Sequence, residues 1–330
     1  MRAIQIVEET GPDSALALVD IPEPEPSHML TPGSGVVVDV HVAGVSFPEL
    51  LQTRGMYQMK PPLPFVPGSE VGGVVRSAPE GAAVKAGDRV AAFCALGGWA
   101  EVCVAPEFFT FPLGSLDFGQ GAALVLNYHT AYFCLKLRGR LAAGETVLIH
   151  GAAGGVGTAS IQVAKGLGAR TIALVSSEEK AQVARDAGAD EVVLLSDGWK
   201  DEVVERSGGG VDMVLDPVGG DRFTDSLRSL REDGRVVVVG FTGGSIPEVK
   251  VNRLLLRNTE VIGAGWGAYV MGKPDLNREI GAAVGAMIES GDVRPVVGQR
   301  FAFEDGAAEA LKTLDERRAV GKVVLDVRPG

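Results

Sequence analysis

The chain has 330 residues and a formal net charge of −11, with 42 acidic side chains against 31 Lys and Arg. A nucleic-acid partner is not expected, because neutralising phosphates requires a basic surface. With 46 % hydrophobic residues the composition is typical of a folded globular protein, and the length suggests about two domains. No apolar run reaches the roughly 18 residues of a membrane span, so we expect no membrane partner.

Cysteine usage and the N-terminus indicate the compartment. The three cysteines lack a C-x-x-C spacing and are odd in number, so they predict neither a disulfide framework nor a cysteine-rich zinc site. The first residues, MRAIQIV, do not show the charged region, apolar stretch and cleavage site of a signal peptide, and they suggest a first strand. We therefore predict a cytoplasmic protein.

The first third of the chain predicts a β-rich domain. Up to about residue 122, strand-like segments at 36–42, 72–76, 88–93 and 99–104 are separated by Pro and Gly residues. Several short strands bounded by such turn residues are typical of a barrel-like domain.

From about residue 145 the pattern changes to alternating strands and helices. Strands are predicted at 146–149, 171–175, 191–195, 212–215, 235–239 and 260–262, with helical stretches between the earlier ones. This alternation predicts an α/β fold with a doubly wound parallel sheet. After about residue 267, amphipathic helices at 277–290 and 304–316 precede a strand at 322–327, and we expect this tail to return to the first domain.

A glycine-rich turn follows the first strand of the alternating region. Residues 152–157, AAGGVG, match the dinucleotide-binding pattern G-x-G-x-x-G with Ala in the first position. Between a strand and a helix, such a turn lets the backbone approach a pyrophosphate, and the helix N-terminus supplies free N–H groups. A structural turn without a ligand is the alternative. The predicted cofactor-binding residues of the loop are Ala152, Ala153, Gly154, Gly155, Val156 and Gly157.

The end of the next strand predicts which dinucleotide binds. An NAD site usually has Asp or Glu there to bind the ribose 2′-hydroxyl, whereas this chain has Ser176 and Ser177. These hydroxyls and Lys180, one helical turn later, suit a 2′-phosphate, so NADPH is favoured over NADH. The acidic residues Glu178 and Glu179 count against NADPH binding, unless they simply begin the next helix. A surface helix position is the alternative for Lys180.

Ordered sequence blocks extend over almost the whole chain. They include AGVSFPELLQTRGMY (43–57), LPFVPGSEVGGVV (63–75), GGWAEVCVAP (97–106), HGAAGGVGTA (150–159), DPVGG (216–220) and GKVVL (321–325). In these blocks the chain resembles the zinc-free quinone oxidoreductases related to zeta-crystallin, within the medium-chain dehydrogenase/reductase superfamily. The resemblance implies a GroES-like β-barrel catalytic domain from residues 1–122 and 268–330, a Rossmann domain from 123–267, and a homodimer.

The same blocks depart from the zinc-dependent members of this superfamily. Those members have a cysteine where this chain has Ser46, and a histidine where it has Ser69. A hydroxyl is a poor zinc ligand, and the four histidines show no metal-ligand spacing. We therefore expect no metal, and without one we expect Glu70 to be structural.

Without a metal, hydrogen-bond donors must polarise the acceptor oxygen during hydride transfer. Zeta-crystallin-like enzymes usually have Asn at the position of Ser46 and a Tyr that matches Tyr57, and Leu51 replaces an aromatic residue. We predict Tyr57 and Ser46 as the catalytic residues, with Tyr57 as the better donor. An aromatic plug on a loop is the alternative role of Tyr57.

The resemblance implies further cofactor contacts. Thr130 matches a threonine near the nicotinamide, and a helix hydroxyl bonded to its own backbone is the alternative. Lys322 matches a basic residue close to the cofactor, with a surface salt bridge as the alternative. The other predicted contacts follow the fifth and sixth strands and are Gly240, Phe241, Thr242, Gly265 and Trp266.

Taken with the resemblance, the sequence predicts an NADPH-dependent enzyme that transfers hydride to a quinone or an α,β-unsaturated carbonyl compound without zinc. Two alternatives stay open, namely an enoyl-thioester (acyl-CoA) reductase and a dinucleotide-binding redox sensor with little catalysis. A serine hydrolase is not expected, since the chain has no G-x-S-x-G nucleophile elbow.

Overall fold

The structure, a computed structural model, describes residues 1–328. Its strands are β1 (Arg2–Ile6), β2 (Leu16–Asp20), β3 (Val36–Val45), β4 (Glu70–Ser77), β5 (Arg89–Phe93), β6 (Val102–Ala105), β7 (Thr110–Pro112), β8 (Thr146–His150), β9 (Arg170–Val175), β10 (Glu191–Leu194), β11 (Val211–Asp216), β12 (Leu230–Val238), β13 (Glu260–Gly263), β14 (Val297–Ala302) and β15 (Lys322–Asp326). Its helices are α1 (Phe47–Gln52), α2 (Phe118–Gly121), α3 (Thr130–Tyr132), α4 (Gly155–Gly166), α5 (Glu178–Asp186), α6 (Trp199–Arg206), α7 (Phe223–Arg228), α8 (Asn252–Leu255), α9 (Trp266–Val270), α10 (Pro274–Ser290) and α11 (Ala307–Asp315). Wide π-helical turns at Val125–His129 and Phe133–Arg138 flank α3. None of the helices in this part of the chain is long and apolar enough to cross a membrane.

The chain folds into two compact units. The first contains Met1–Leu126, Val270–Gly281 and the described residues from Pro295 onwards. The second contains Asn127–Tyr269 and Ala282–Arg294.

One segment differs from the sequence prediction. We assigned all of residues 268–330 to the catalytic domain, whereas 282–294, with the C-terminal half of α10, lies in the second unit. The Gln162 carboxamide of α4 donates to the Arg294 carbonyl at 3.0 Å and accepts from the Arg294 N–H at 2.9 Å. These long-range hydrogen bonds join the segment to the second unit, and no local sequence pattern encodes them.

The first unit contains the small antiparallel sheet β1-β2 and a larger, seven-stranded sheet. The order of the larger sheet is β14-β15-β3-β4-β5-β7, and β6 also pairs with β3. All of these pairs are antiparallel except β14 with β15. The last strand, β15, places Val323 opposite Val45 and Leu325 opposite Ala43, so the end of the tail returns to this unit as predicted.

The second unit contains six parallel strands in the order β10-β9-β8-β11-β12-β13. The chain winds outward from β8 in one direction and then from β11 in the other, which confirms the doubly wound α/β fold class. Leu148, Ile172 and Val214 belong to the buried core beneath the helices. Because the winding reverses between β8 and β11, the carboxyl ends of these two strands form the crevice where such sheets bind ligands.

Candidate active site

The glycine loop connects β8 to α4 in the second unit. Packing requires Gly157, because a Cβ there would lie 2.2 Å from the Gly151 carbonyl oxygen and 2.6 Å from the Ala152 Cα. At Gly154, in contrast, a Cβ would meet only the Gly151 oxygen, at 3.5 Å. Packing within the chain therefore does not explain Gly154, whereas a ligand that approaches the backbone at this point would need a glycine.

No side chain caps the N-terminus of α4. Gly154 is the N-cap, with an extended backbone at φ −82° and ψ 179°. Because the first N–H groups of a helix lack intrahelical partners, this terminus can bind an anion. In the neighbouring loop after β11, Asp216 Oδ1 accepts hydrogen bonds from the N–H groups of Val218 and Gly219 at 2.8 and 2.9 Å.

The residues predicted to bind a 2′-phosphate lie at the end of β9. Ser176 is exposed and Lys180 is half-buried, and the Lys180 Nζ lies 3.3 Å from the Ser176 Oγ. Ser177 is the N-cap of α5, where its Oγ accepts from the Lys180 N–H at 3.4 Å, so its hydroxyl has a structural role. Glu178 and Glu179 lie in the first turn of α5, so they do begin the next helix.

The other predicted cofactor contacts of the second unit are divided between surface and interior. Phe241 is exposed after β12, and the Thr242 hydroxyl donates to a carbonyl of the β11 loop at 3.1 Å. Thr130 begins α3 and Trp266 begins α9, and both side chains are buried. The residues that follow β8, β9 and β12 share the carboxyl edge of the sheet. The loops after β12 and β13 also contain the predicted glycines, Gly240 and Gly265.

A buried ion pair lies in the first unit. The Lys322 ammonium contacts the Glu70 carboxylate, and the two residues are 2 % and 1 % exposed. The Lys322 Nζ also donates to the Ser46 Oγ at 2.5 Å. Gly44 makes room for this arrangement, because a Cβ there would lie 2.7 Å from the Lys322 Cε and 2.8 Å from the Glu70 Cγ. Lys322 thus forms the salt bridge that was the alternative to a cofactor contact, but this salt bridge is buried rather than at the surface.

A second buried carboxylate, Glu49, connects Ser46 to Ser69. It accepts the Ser46 N–H at 2.9 Å, the Ser69 N–H at 2.8 Å and the Ser69 hydroxyl at 2.5 Å. The structure therefore brings together both serines that stand at zinc-ligand positions of zinc-dependent relatives. Sequence analysis missed Glu49, although Ser46 and Glu49 have the S-x-x-E spacing of a capping box.

The electrostatics of this cluster are dominated by burial. Burial raises the pKa of Glu49 and the pKa of Glu70, and the Lys322 ammonium lowers both in part. The Leu126 N–H, at 2.9 Å from the second oxygen of Glu70, also favours its charged form. Among residues 1–328, the Lys322 ammonium is thus the cation that faces both buried carboxyl groups, and its removal would leave them unpaired.

The other predicted catalytic residue, Tyr57, lies beside this cluster. It is half-buried in a pocket that it shares with Gln52 and Phe65, among others. Burial, and then the negative charge of Glu49, raise the pKa of the Tyr57 phenol. Across residues 1–328 the buried Gln52 Oε1, which lines the same pocket, has no hydrogen-bond partner. The Gln52 oxygen is therefore available to a ligand that enters the pocket beside Tyr57.

The donors of this cluster do not form a metal-binding set. Within the described residues, no group of three or more His, Cys, Asp or Glu side chains is arranged to hold a metal ion. The Ser69 hydroxyl already donates to Glu49, and the Ser46 oxygen already accepts from an ammonium that would repel a second cation. Zinc does not fit the residues present at these positions.

Comparisons with known proteins agree with this architecture. Residues 32–115 match the family model described as the alcohol dehydrogenase GroES-like domain, and residues 155–280 match the model described as zinc-binding dehydrogenase. The quinone oxidoreductase-like protein 2 of Bos taurus is 38 % identical over 89 % of this chain and 85 % of the relative. The quinone oxidoreductase of Rattus norvegicus is 34 % identical over 98 % of this chain and 97 % of the relative.

A solved structure of a mycobacterial protein complexed with NADPH is also similar. It is 34 % identical to this chain, covers 99 % of this chain and 100 % of the mycobacterial one, and has a TM-score of 0.89. The similarity to quinone oxidoreductases thus extends over nearly the whole chain, as the ordered sequence blocks predicted. The chain therefore belongs to the quinone oxidoreductase family of the medium-chain dehydrogenase/reductase superfamily.

Proposed function

We propose that the protein is a zinc-independent, NADPH-dependent oxidoreductase that transfers hydride to a quinone or an α,β-unsaturated carbonyl compound. NADPH, when bound, supplies the hydride. The observation that carries the proposal is the hydrogen bond from the buried Lys322 ammonium to Ser46, at a position where zinc-dependent relatives have a metal ligand. The serine hydroxyl then becomes the group that polarises the acceptor.

Ser46 and Lys322 perform this polarisation together. The Ser46 oxygen accepts from an ammonium, so its own O–H proton becomes more acidic and a stronger donor. Negative charge grows on the acceptor oxygen as hydride arrives, and a donor fixed beforehand stabilises that charge most in the transition state. Tyr57 is proposed as a second donor, ranked below Ser46 because Ser46 accepts a bond from the Lys322 ammonium.

The second unit binds the dinucleotide in this proposal. The uncapped N-terminus of α4 holds the pyrophosphate, and Gly154 allows its close approach. Lys180 and Ser176 bind the 2′-phosphate at the end of β9, in place of the carboxylate that would bind a 2′-hydroxyl. Ser177 supports them as the cap of α5.

Replacing Lys180 by Ala is expected to weaken NADPH binding about 10- to 150-fold, because a charge-assisted bond to the 2′-phosphate is lost. NADH binding should change less than about twofold, since NADH lacks that phosphate. Equilibrium fluorescence titration measures the Kd of each nucleotide for the variant and for the wild type. Lys200→Ala, which removes a lysine paired with Asp201 on α6, is the matched control. Equal weakening of NADPH and NADH would contradict the role of Lys180.

A screen of NADPH oxidation tests the proposed function. Quinones, enones and enoyl-CoA thioesters are offered with and without a chelator, and the zinc content of the protein is measured. We expect turnover of quinones or enones, no effect of the chelator, and well under one zinc per chain. Stoichiometric zinc with chelator-sensitive turnover would overturn zinc independence. A preference for enoyl-CoA would favour the acyl-CoA reductase, and tight NADPH binding without turnover would favour the redox sensor.

We also propose a homodimer formed through the β13 edge of the second unit. In the described chain β13 is the last strand of its sheet, and its outer edge is unpaired. The preceding segment exposes apolar side chains, with Val251 at 72 %, Leu255 at 77 % and Leu256 at 79 % exposure. Unpaired strand edges and exposed apolar clusters favour association, and a second copy would cover both.

Introducing Leu255→Glu together with Leu256→Glu is expected to convert the dimer to a monomer, because two charges cannot be buried unpaired in an interface. Sedimentation velocity should then show 34.3 kDa in place of twice that mass. Leu18→Glu is the control, since Leu18 is 42 % exposed on β2 of the first unit. A monomeric wild-type protein at micromolar concentration would contradict the homodimer.

A cytoplasmic location completes the proposal. Cys94, Cys103 and Cys134 are free and buried. Free thiols are typical of a reducing compartment, where disulfides do not persist.

A further inference from the structure

A buried carboxamide faces the glycine loop inside the second unit. Asn127 belongs to the π-helical turn Val125–His129 and is only 5 % exposed. Its side chain lies against Gly155, the first residue of α4, where a Cβ would be 2.7 Å from the Asn127 Nδ2 and 3.2 Å from its Oδ1. The carboxamide takes the space that a side chain at 155 would fill, so such a side chain would have to displace it from the loop.

The Asn127 carboxamide makes no hydrogen bond to any residue that the structure describes. The residue is 5 % exposed, yet its carboxamide atoms are not enclosed by protein, so they are open to a ligand beside the loop. The adjacent N-terminus of α4 also has free N–H groups and no side-chain cap. Two sets of donors without acceptors thus lie side by side, and a bound anion would supply acceptors to both.

We infer that Asn127 is a cofactor-binding residue whose Nδ2 donates to a pyrophosphate oxygen of the dinucleotide. This inference rests on the proposed NADPH function and adds a residue to it. The pyrophosphate is the part concerned because Asn127 faces the first residue of α4, whereas the 2′-phosphate residues follow β9. The pyrophosphate is common to NADPH and NADH, so Asn127 acts on both nucleotides equally.

Two substitutions test this role through binding rather than turnover. Asn127→Ala removes the donor and should raise the Kd of NADPH and of NADH by the same factor, about tenfold. Asn127→Asp keeps the shape but places a carboxylate beside the pyrophosphate, and should raise both Kd values by about 30- to 100-fold. Lys180→Ala is the contrasting variant, because it should affect NADPH alone.

The unliganded stability of Asn127→Asp separates binding from packing. A carboxylate near a helix N-terminus interacts favourably with the free N–H groups. Apo Asn127→Asp should therefore keep or raise its Tm although its nucleotide affinity falls. If Asn127 had a purely structural role, Tm and affinity would not change in opposite directions. Thermal unfolding of the apo protein without nucleotide gives this readout, even where Asn127→Ala loses stability through its cavity.

ADP-ribose, which contains the pyrophosphate but no nicotinamide, identifies the part of the cofactor that is bound. Its Kd should rise in both variants by the same factor as that of NADH. If ADP-ribose binds both variants like the wild type while NADH does not, the contact is to the nicotinamide and the inference is overturned. Unchanged Kd values for all three ligands in both variants also overturn it. If the wild-type protein binds neither NADPH nor NADH, the proposed function itself fails, which is a separate outcome.

Discussion

Replacing Lys322 by Met is expected to lower the free energy of unfolding by about 3–5 kcal/mol at pH 8, the usual cost of removing one partner of a buried ion pair. The substitution leaves the Glu70 and Glu49 carboxyl groups buried without a cation, while the Leu126 N–H remains with Glu70. Chemical denaturation at several pH values measures the loss.

The loss should be smaller at pH 5 than at pH 8. Burial raises the pKa of Glu70, and Lys322 counteracts part of that rise, so its removal raises the pKa of Glu70 further. A carboxyl whose pKa is raised in the folded state favours folding while it is protonated. Its contribution to the free energy of unfolding is fully present below the unfolded-state pKa and is lost as pH rises through the folded-state pKa. The difference between variant and wild type therefore grows with pH.

Two further variants make this prediction specific. Glu70→Gln in the Lys322→Met background removes the unpaired charge and should recover more than half of the loss. Lys312→Met breaks an exposed pair with Asp13 and should leave the free energy of unfolding nearly unchanged. A loss in Lys322→Met that is independent of pH, or that Glu70→Gln leaves unchanged, would show that lost packing and not charge is responsible.

Ser46→Ala is expected to lower kcat by about 100- to 1000-fold on the best acceptor from the screen, the effect typical of one oxyanion donor. NADPH affinity should change less than about twofold, because Ser46 belongs to the first unit and not to the glycine loop. Steady-state kinetics and a separate binding titration distinguish the two quantities.

The comparison with Tyr57 tests the ranking of the donors. Sequence analysis predicted Tyr57 as the better donor, whereas in the structure Ser46 accepts a bond from the Lys322 ammonium. Tyr57→Phe should therefore lower kcat by about tenfold, less than Ser46→Ala. Ser69→Ala is a matched control, since its hydroxyl donates to Glu49, and it should change stability more than kcat. If Tyr57→Phe lowers kcat more than Ser46→Ala does, Tyr57 is the better donor, as the sequence predicted.

The fold was predictable because its signals are local. The six strands of the parallel sheet are predicted within a few residues of their observed bounds, except that β12 begins earlier, at Leu230. The glycine loop was predictable for the same reason, since strand, turn and helix follow each other directly in sequence. Patterns of hydrophobicity and turn residues report such neighbours well.

The polar cluster was less predictable because its members are distant in sequence. Ser46 and Lys322 are 276 residues apart, and Glu70 and Lys322 are 252 apart. A single sequence shows that a lysine begins a predicted strand, but not which carboxylates that strand brings to it. Asn127 shows the same limit, since nothing local indicates that its carboxamide faces Gly155.

The position of Lys322 on the last strand has a consequence for how the protein forms during synthesis. Ser46, Glu49 and Glu70 leave the ribosome early, yet their cation arrives only when β15 pairs with β3. Until then the two carboxyl groups must stay hydrated or protonated, because burial without the cation is unfavourable. The nascent chain therefore cannot complete this cluster before β15 is made.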